Sequence, residues 1–540
     1  MERIAPRWGM LWLGLVCLSQ AGVRGDEATS PQLRDQQLRN WHQWRGPQAS
    51  GVAPLANPPT KWDEQTNIRW KFEIPGRGTS TPIIWEDQVF ILTAIKTDRV
   101  ADPVPEPAAD EASADKPAGE GGDPPAVSPT VTTLAAQDPP EREASPERRG
   151  RPERGTGDRG QGDRGQGDRG QGDRGQGDRG QGDRGQGERG PGGRGTGGRG
   201  TGMRGEKPSH YHQFVVLALD RNSGKVRWQQ VAREEVPHEG HHQTGSFAAA
   251  SPTTDGKHLY VSFGSRGIYC YDLAGNLKWE RDLGDMRTRN GFGEGVSPVV
   301  HGDALIVNWD QEEDSKLFVL DARTGEIRWQ VERDEVTQWA TPLVIEHDGR
   351  TQLITSATNR VRSYDLADGK LLWECGGQTT SVIPCPVAKD GVVICMSGFR
   401  GSAARAIPLD VSGDVTDSDQ LVWKHDRGTP YVPSPLLYGD DLYFTESNRA
   451  ILSCLDVKTG EPVIDRARMP GVSNFYASPI GAADRIYFVS REGVGLVLKH
   501  ARELEVLATN PLEDTIDASP AAVGKQLFLR GEKYLYCIEE

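Results

Sequence analysis

The sequence predicts an all-β protein, an eight-bladed β-propeller of four-stranded antiparallel blades. The first observation is a series of eight prolines, each preceded by a small residue and followed by a short apolar strand: Pro82, Pro252, Pro298, Pro342, Pro386, Pro435, Pro479 and Pro520. Intervals of 170, 46, 44, 44, 49, 44 and 41 residues separate them. A unit of about 44 residues that forms four strands is typical of a propeller blade.

The second observation is a phrase that recurs inside these units: an apolar strand, an aspartate, a Ser/Thr-Gly turn, and a strand that ends in tryptophan. Its full copy runs from Ala218 to Trp228, and four later units carry variants of it. Aspartate accepts hydrogen bonds from turn amides, and glycine supplies the positive φ that the turn needs. A tryptophan ring is large enough to fill the wedge between blades. We predict this docking role for Trp70, Trp228, Trp279, Trp329, Trp373 and Trp423.

The two ends of the chain predict how the ring closes. The last unit stops at Glu540, just after the apolar run Leu535–Ile538, and lacks a fourth strand. The segment Asn67–Trp70 carries the missing phrase near the N-terminus. We therefore expect an N-terminal strand to complete the last blade, which removes the exposed edges of an open array. Residues 41–98 then begin the propeller, and residues 209–540 form the rest of it.

The first interval holds about 110 extra residues, and their composition predicts a disordered insert over 99–208. This stretch contains 27 of the 65 glycines and 13 of the 36 prolines, and residues 157–186 are six copies of Gly-Asp-Arg-Gly-Gln. A period of five excludes collagen, and the aspartates among the arginines disfavour RNA binding. The insert separates the second and third strands of blade one. We expect it to overhang the channel mouth as a tether, spacer or lid.

The N-terminus predicts export through a signal peptide over residues 1–21. Arg3 and Arg7 precede an apolar run over 8–18, and cleavage after Ala21 or after Gly25 stays open. A lipidated Cys17 or an uncleaved anchor is the alternative, and we expect residues 22–40 to be flexible. No later stretch is long and apolar enough to be a transmembrane segment. The expected location is the periplasm or the cell envelope, with the extracellular space as the alternative.

The charge and the cysteines narrow the function classes. A formal net charge of −14 disfavours a nucleic-acid partner. Three cysteines, Cys270, Cys454 and Cys537, occupy the position that Ala218 holds in another unit, so we predict small core residues there. Cys385 and Cys395 flank a predicted hairpin turn, and a disulfide between them stays open.

The repeats resemble those of exported bacterial PQQ-like (pyrrolo-quinoline quinone) propeller proteins of the quinoprotein alcohol dehydrogenase-like superfamily. The pattern Ala-x-Asp-x-x-Ser/Thr-Gly-x-x-x-Trp from Ala218 to Trp228 carries the resemblance, together with the opening Trp41-His-Gln-Trp44-Arg-Gly-Pro47. The resemblance covers residues 41–98 and 209–540. The resemblance implies one of two functions. Quinoprotein alcohol dehydrogenases hold PQQ and Ca²⁺, whereas BamB-like outer-membrane assembly factors are eight-bladed scaffolds without a cofactor.

The motifs favour the scaffold over the enzyme. The dehydrogenases resembled here carry adjacent cysteines near the quinone, and this sequence has no Cys-Cys pair. It also has no Cys-x-x-Cys-His, Gly-x-Ser-x-Gly, His-Glu-x-x-His or P-loop motif. We predict a non-enzymatic, monomeric scaffold that binds a protein or cell-envelope partner through its channel-mouth face, with no cofactor. The alternative is a PQQ- and Ca²⁺-dependent oxidoreductase.

The candidate ligand-binding residues lie in the loops that lead into the first strand of each blade. Aromatic, charged and hydroxyl side chains at a channel mouth suit small polar ligands or peptides. They are Arg77, Thr79, His241, His242, Arg289, Glu294, Trp339, Tyr431, Tyr476 and Asp517. No catalytic residue is predicted. Metal binding stays open, either at His238, His241 and His242 or at the acidic loop 310–314, for which a solvated surface loop is the alternative.

Overall fold

A computed structural model of the chain describes residues 31–101, 205 and 207–540. The predicted signal peptide and almost all of the predicted insert, its overhang included, lie outside the described residues. Part of the segment 22–40, which we expect to be flexible, is helical: α1 covers Pro31–Leu38. Asn40 follows the helix and holds it on the ring, since its side chain donates to Gln36 and accepts from the Glu86 amide. Within the described part, no helix is both long and apolar enough to cross a membrane.

The first strand, β1 (Ile68–Glu73), belongs to the last blade, and the chain then builds the blades in order. Blade 1 contains β2 (Ile83–Trp85), β3 (Gln88–Val100), β4 (His210–Asp220) and β5 (Val226–Glu235). Blade 2 contains β6 (Thr253–Thr254), β7 (His258–Ser262), β8 (Ile268–Asp272) and β9 (Leu277–Arg281). Blade 3 contains β10 (Val299–His301), β11 (Ala304–Trp309), β12 (Lys316–Asp321) and β13 (Ile327–Glu332). Two short 3₁₀ helices cover Gly264–Arg266 and Arg289–Gly291.

A short strand that follows the third strand of blade 5 along the chain joins blade 4 instead. Blade 4 contains β14 (Leu343–His347), β15 (Arg350–Ser356), β16 (Val361–Asp365) and β17 (Leu371–Cys375). Blade 5 contains β18 (Val387–Lys389), β19 (Val392–Ser397) and β20 (Ala403–Pro408), followed by β21 (Gly413–Asp414) and β22 (Trp423–Lys424). Strand β21 pairs in parallel with β17, so it extends blade 4 as a fifth strand, while β22 completes blade 5.

The last three blades repeat the four-stranded pattern. Blade 6 contains β23 (Leu436–Tyr438), β24 (Asp441–Thr445), β25 (Ile451–Asp456) and β26 (Pro462–Arg468). Blade 7 contains β27 (Ile480–Ala482), β28 (Arg485–Val489), β29 (Val494–Lys499) and β30 (Val506–Pro511). Blade 8 contains β31 (Ala521–Val523), β32 (Gln526–Arg530) and β33 (Tyr534–Ile538). The predicted all-β eight-bladed fold is confirmed.

The predicted closure is also confirmed, because β1 is the fourth strand of blade 8. It pairs antiparallel with β33, from Ile68 opposite Ile538 to Glu73 opposite Tyr534. The insert leaves blade 1 between its second and third strands, as predicted. However, β3 pairs with β4 as far as Val100 opposite His210, two residues inside the range assigned to the insert.

The core lies between the blades and follows from the alternation of side chains along each strand. The second and third strands are buried on both faces, since each sheet is covered by its two neighbours; all six residues of β11 are buried. The fourth strands lie on the outside of the ring, where exposed and half-buried residues alternate. In β13, two of the six residues are half-buried and the other four are exposed.

The six described cysteines are buried and unpaired. The disulfide left open between Cys385 and Cys395 is therefore absent. Burial raises the pKa of Cys270 and of Cys454 to about 12, so both thiols stay protonated.

The docking tryptophans join each blade to the next. Five of the six donate their indole N–H to a backbone carbonyl of the following blade at 2.8–3.0 Å: Trp70, Trp228, Trp279, Trp329 and Trp423. Each ring also covers the turn glycine of that blade, as Trp279 covers Gly325. Trp373 differs, because blade 5 lacks this turn. Its N–H donates instead to Gln352 Oε1 of its own blade, at 3.3 Å.

We predict that Gly325→Ala destabilises the protein by about 2 kcal/mol more than Gly349→Ala. The two glycines have φ angles of +72° and +75°, so the backbone strain of the two substitutions is matched. A Cβ at Gly325 would lie 2.6 Å from the Trp279 ring, whereas nothing lies within 4 Å of a Cβ at Gly349. Urea unfolding of both variants measures the difference. Equal losses would contradict the docking role of Trp279.

Candidate functional site

The N-terminal segment that precedes β1 crosses the central channel and closes it. The Trp41 amide donates to Ile84 of blade 1, and the His42 carbonyl accepts from Thr254 of blade 2. Farther along, the Ser50 carbonyl accepts from blade 6, and Ala53 donates to Gly481 of blade 7. Because blades 2 and 6 stand opposite each other in a ring of eight, the segment spans the axis. The channel is therefore a blind funnel.

The residues that precede the eight prolines form a ring around the channel axis, which we call the pre-proline belt. In each of seven links, a belt residue donates its backbone N–H to the side-chain oxygen or sulfur of the belt residue in the next blade, at 2.9–3.3 Å. Thr81 Oγ1 has no hydrogen-bond partner, so the link from blade 8 to blade 1 is missing. The belt consists of Thr81, Ser251, Ser297, Thr341, Cys385, Ser434, Ser478 and Ser519.

The funnel encloses about 1210 Å³, including its opening to solvent. Its base holds the Trp44 indole, which donates its N–H to Cys385 Sγ at 3.1 Å. Seven of the belt residues, all but Thr81, line its wall. Above the belt stand four aromatic side chains from the loops that lead into blades 3, 4, 6 and 7: Phe292, Trp339, Tyr431 and Tyr476. The funnel thus has an apolar aromatic rim above a ring of small polar groups.

Six of the ten predicted ligand-binding residues line the funnel: Thr79, His242, Trp339, Tyr431, Tyr476 and Asp517. Asp517 is the one carboxylate among the described lining residues, and Arg491 holds it through two contacts of 2.6 and 3.1 Å. The same guanidinium lies 4.3 Å from the centre of the Tyr476 ring. Burial, with a smaller contribution from Arg491, lowers the pKa of His242.

The other four predicted residues do not line the funnel. Arg77 donates to the Gln243 carbonyl and faces Glu532 at 3.7 Å. His241 turns away to contact the His242 carbonyl and the Phe247 ring. Arg289 lies in the 3₁₀ turn of its loop, and Glu294 faces a separate cavity. The place of these four residues in the repeat does not reveal which way their side chains point.

Glu294 lines a side cavity among blades 1 to 3 together with His238 and Glu239. These three side chains offer ligand atoms within 4.8 Å of one another. His238 nevertheless has both ring nitrogens engaged: one contacts the Met286 carbonyl at 2.6 Å, and the other accepts from Arg266 at 2.7 Å. His241 and His242 do not join this group. The histidines singled out in the sequence therefore do not converge on one ion.

The acidic loop 310–314 is a solvated surface only in part. Glu312, Glu313 and Asp314 are exposed. Asp310 is fully buried and receives two bonds from Arg333, at 2.7 and 3.1 Å. The expectation of a solvated acidic loop is therefore wrong for Asp310, because the strand that precedes it carries its side chain into the core beside the guanidinium.

We expect the native protein to lose stability as the pH rises from about 4.5 to about 7, and we predict that Glu294→Gln abolishes this loss. Burial disfavours the carboxylate and raises the pKa of Glu294 from 4.5 to about 7. The folded state then binds the proton more tightly than the unfolded state, so stability is full below pH 4.5 and falls as the pH rises. The slope can reach about 1.4 kcal/mol per pH unit.

Urea unfolding of both proteins at several pH values measures this effect. Glu313→Gln, which changes an exposed glutamate nearby, serves as the control. Parallel stability curves for the native protein and Glu294→Gln would contradict the prediction.

The comparisons with known proteins agree with this architecture. A family model described as outer membrane protein assembly factor BamB matches residues 212–465, just under half of the chain. The matched part of the chain is similar to the PQQ-like repeats of that family. The predicted resemblance is thus confirmed. The match begins on β4 and ends in blade 6, so it includes three of the four aromatic rim residues.

Solved structures similar to this chain include BamB from Moraxella catarrhalis, at 14% identity and a TM-score of 0.45, covering 60% of this chain and 91% of that one. The quinohemoprotein alcohol dehydrogenase of Comamonas testosteroni is similar at 9% identity and a TM-score of 0.42, covering 63% and 74%. The computationally designed protein Ika8 shows 10% identity and a TM-score of 0.41, covering 61% and 93%. A search of curated protein sequences finds no match.

Proposed function

We propose that this protein is a non-enzymatic, monomeric binding propeller of the cell envelope, and that its funnel holds a segment of a protein partner. The observation that carries the proposal is the convergence of Phe292, Trp339, Tyr431 and Tyr476 on a blind funnel. Aromatic side chains are enriched among the residues that dominate protein–protein binding energy. A funnel closed at its base suits a side chain or a loop that enters and stops.

The polar groups of the funnel support a polypeptide ligand. Each belt hydroxyl except that of Thr81 accepts a hydrogen bond from a backbone amide, which leaves its own O–H free to donate. A row of O–H donors can satisfy the carbonyls of an inserted segment. Pairing of Asp517 with Arg491 leaves the funnel without an uncompensated carboxylate, so the ligand need not be strongly charged.

The proposed location rests on two observations. The N-terminal sequence has the charged start, apolar run and small-residue site of an exported protein. The matching family model is described as an outer membrane assembly factor, and that description supports an envelope role for this chain too.

The alternative function needs PQQ and Ca²⁺, and the funnel residues do not fit them. PQQ is a tricarboxylate, and Ca²⁺ takes six to eight oxygen ligands, several of them carboxylates. Among the described lining residues the funnel offers only the Asp517 carboxylate, and the adjacent guanidinium of Arg491 is already bound to it. We therefore derive no redox step for this site.

Site-specific crosslinking tests the proposed function. A photo-crosslinking amino acid replaces Tyr431 at the rim or, as the control, Leu277 on the outer strand β9, where the side chain is 50% exposed. We expect one discrete protein adduct in cell-envelope preparations from the rim position and none from the control. We also expect Trp339→Ala to lower its yield about tenfold. Equal adducts from both positions, or none from the rim, would overturn the proposal.

A further inference from the structure

Two arginines lie beside the tyrosines of the funnel rim. The guanidinium of Arg491, on the loop between β28 and β29, lies 4.3 Å from the centre of the Tyr476 ring. The guanidinium of Arg400, on the loop between β19 and β20, lies 5.1 Å from the centre of the Phe399 ring. Phe399 in turn stacks on Tyr431, with the two ring centres 4.8 Å apart. Blades 5 and 7 thus each place a cation against the aromatic rim.

A third arginine, Arg289, approaches Tyr431 from the loop that leads into blade 3. Burial, with a smaller contribution from Tyr476, raises the pKa of Tyr431, and the positive charge of Arg289 acts against this shift. A charge has such an effect only on a group close to it. Arg289 is not part of the funnel lining. We therefore place its charge at the mouth, next to the Tyr431 hydroxyl, rather than in the funnel wall.

Two of these three positive charges have no counter-ion. The Asp517 carboxylate compensates Arg491 through its contacts of 2.6 and 3.1 Å. Among the described residues, no carboxylate pairs with Arg289 or Arg400, and neither guanidinium donates a hydrogen bond. Arg289 is half-buried and Arg400 is exposed. The four side chains together carry an excess of positive charge, although the chain as a whole has a net charge of −14.

We propose that the polypeptide segment held by the funnel carries acidic side chains next to its apolar tip, and that Arg289 and Arg400 bind them. Carboxylates form charge-assisted hydrogen bonds with guanidinium groups, and opposite charges steer a partner to its site. The tip that enters the funnel can be uncharged, because Asp517 and Arg491 already compensate each other. This inference rests on the proposed function, since it names the chemistry of the same partner.

Calorimetric titration of the full-length protein with three synthetic peptides tests the proposal. Each peptide has blocked ends and one tryptophan, flanked on both sides by glutamates, by glutamines or by lysines. We expect the glutamate peptide to bind saturably and about tenfold more tightly than the glutamine peptide, and the lysine peptide to bind most weakly. Equal binding of all three that is lost in Trp339→Ala would overturn the acidic preference and leave the funnel a polypeptide site. Absence of saturable binding by the glutamate peptide would overturn this inference, whereas the crosslinking experiment decides separately on the proposed function.

The double variant Arg289→Gln/Arg400→Gln localises the acidic preference. We expect it to bind the glutamate peptide about tenfold more weakly than the native protein and the glutamine peptide equally well. The control Arg323→Gln removes an exposed arginine from the turn between β12 and β13, on the opposite face of the ring, and should bind as the native protein does. An unchanged preference in the double variant would overturn the assignment. Binding to vesicles of anionic phospholipid that the double variant loses, without any preference among the peptides, would also overturn it and would assign the arginines to a lipid surface.

Discussion

Deletion of residues 40–75 is expected to abolish cooperative thermal unfolding. The deletion removes β1, whose pairing with β33 closes the ring, and it exposes the edge of blade 8. It also removes the segment that crosses the channel, including the buried Trp41 and Arg45. The Trp70 ring is lost from the joint between blade 8 and blade 1 as well. We expect the protein that lacks residues 40–75 to form soluble aggregates or a molten globule, and to show no calorimetric transition.

Differential scanning calorimetry measures the result. Deletion of residues 31–38 is the control, because α1 buries none of its residues and its removal leaves β1 in place. The control should keep one cooperative transition within a few degrees of the native protein. A protein lacking residues 40–75 that melts cooperatively near the native temperature would show that the ring closes in another way.

Asp310→Ala is expected to destabilise the protein by about 3–5 kcal/mol. The substitution leaves Arg333 buried and charged, with neither of its two bonds to the Asp310 carboxylate. Arg333 would keep its hydrogen bonds to the hydroxyls of Thr355 and Tyr364, at 3.0 and 2.7 Å. A further carboxyl group near Arg333, that of Glu335, is already bound by Arg362 at 3.0 Å, and neutral hydroxyls do not compensate a buried positive charge. Urea unfolding followed by tryptophan fluorescence measures the loss.

The matched control is Asp314→Ala, which removes an exposed carboxylate from the same loop and should cost less than 1 kcal/mol. The double variant Asp310→Leu/Arg333→Met should recover much of the loss, since it removes both charges together. A loss below about 1 kcal/mol for Asp310→Ala would contradict the compensating role of the buried pair.

The fold could be predicted because short sequence patterns that repeat along the chain specify each blade. Each proline marks the start of a first strand, where no ladder donor is needed, and the Asp-Gly turn with its tryptophan marks the joint to the next blade. Closure by β1 followed from one incomplete unit and one matching fragment. Helix α1 could not be predicted in this way, because its sequence is polar and what anchors it is Asn40 on a distant turn of blade 1.

The site could be predicted only in part. Position in the repeat identified the loops that face the mouth, and six of the ten chosen residues line the funnel. Repeat position cannot show that Arg289 lies in a 3₁₀ turn or that Glu294 faces a separate cavity. The pre-proline belt is visible in the sequence, because each of the eight prolines follows Ser, Thr or Cys. The role of these residues depends on hydrogen bonds between neighbouring blades, which exist only once the ring is closed.

The structural role of the opening Trp-His-Gln-Trp-Arg-Gly-Pro could not be found from the sequence, where it serves only as a mark of resemblance. Its role depends on contacts with residues more than 300 positions away, such as the Arg45 bond to Pro435 and the Trp44 bond to Cys385. Gly51 shows the same dependence, since a Cβ there would lie 2.2 Å from the Arg45 guanidinium.

We propose that the funnel binds a partner and carries out no redox chemistry. Titration of the protein with PQQ in the presence of Ca²⁺, followed by thermal shift and by dye-linked alcohol oxidation, tests this proposal. We expect no saturable PQQ binding, a thermal midpoint unchanged within about 1 °C, and no turnover. Stoichiometric binding of PQQ with turnover that is lost in Trp339→Ala would contradict the claim and would assign the funnel to an oxidoreductase.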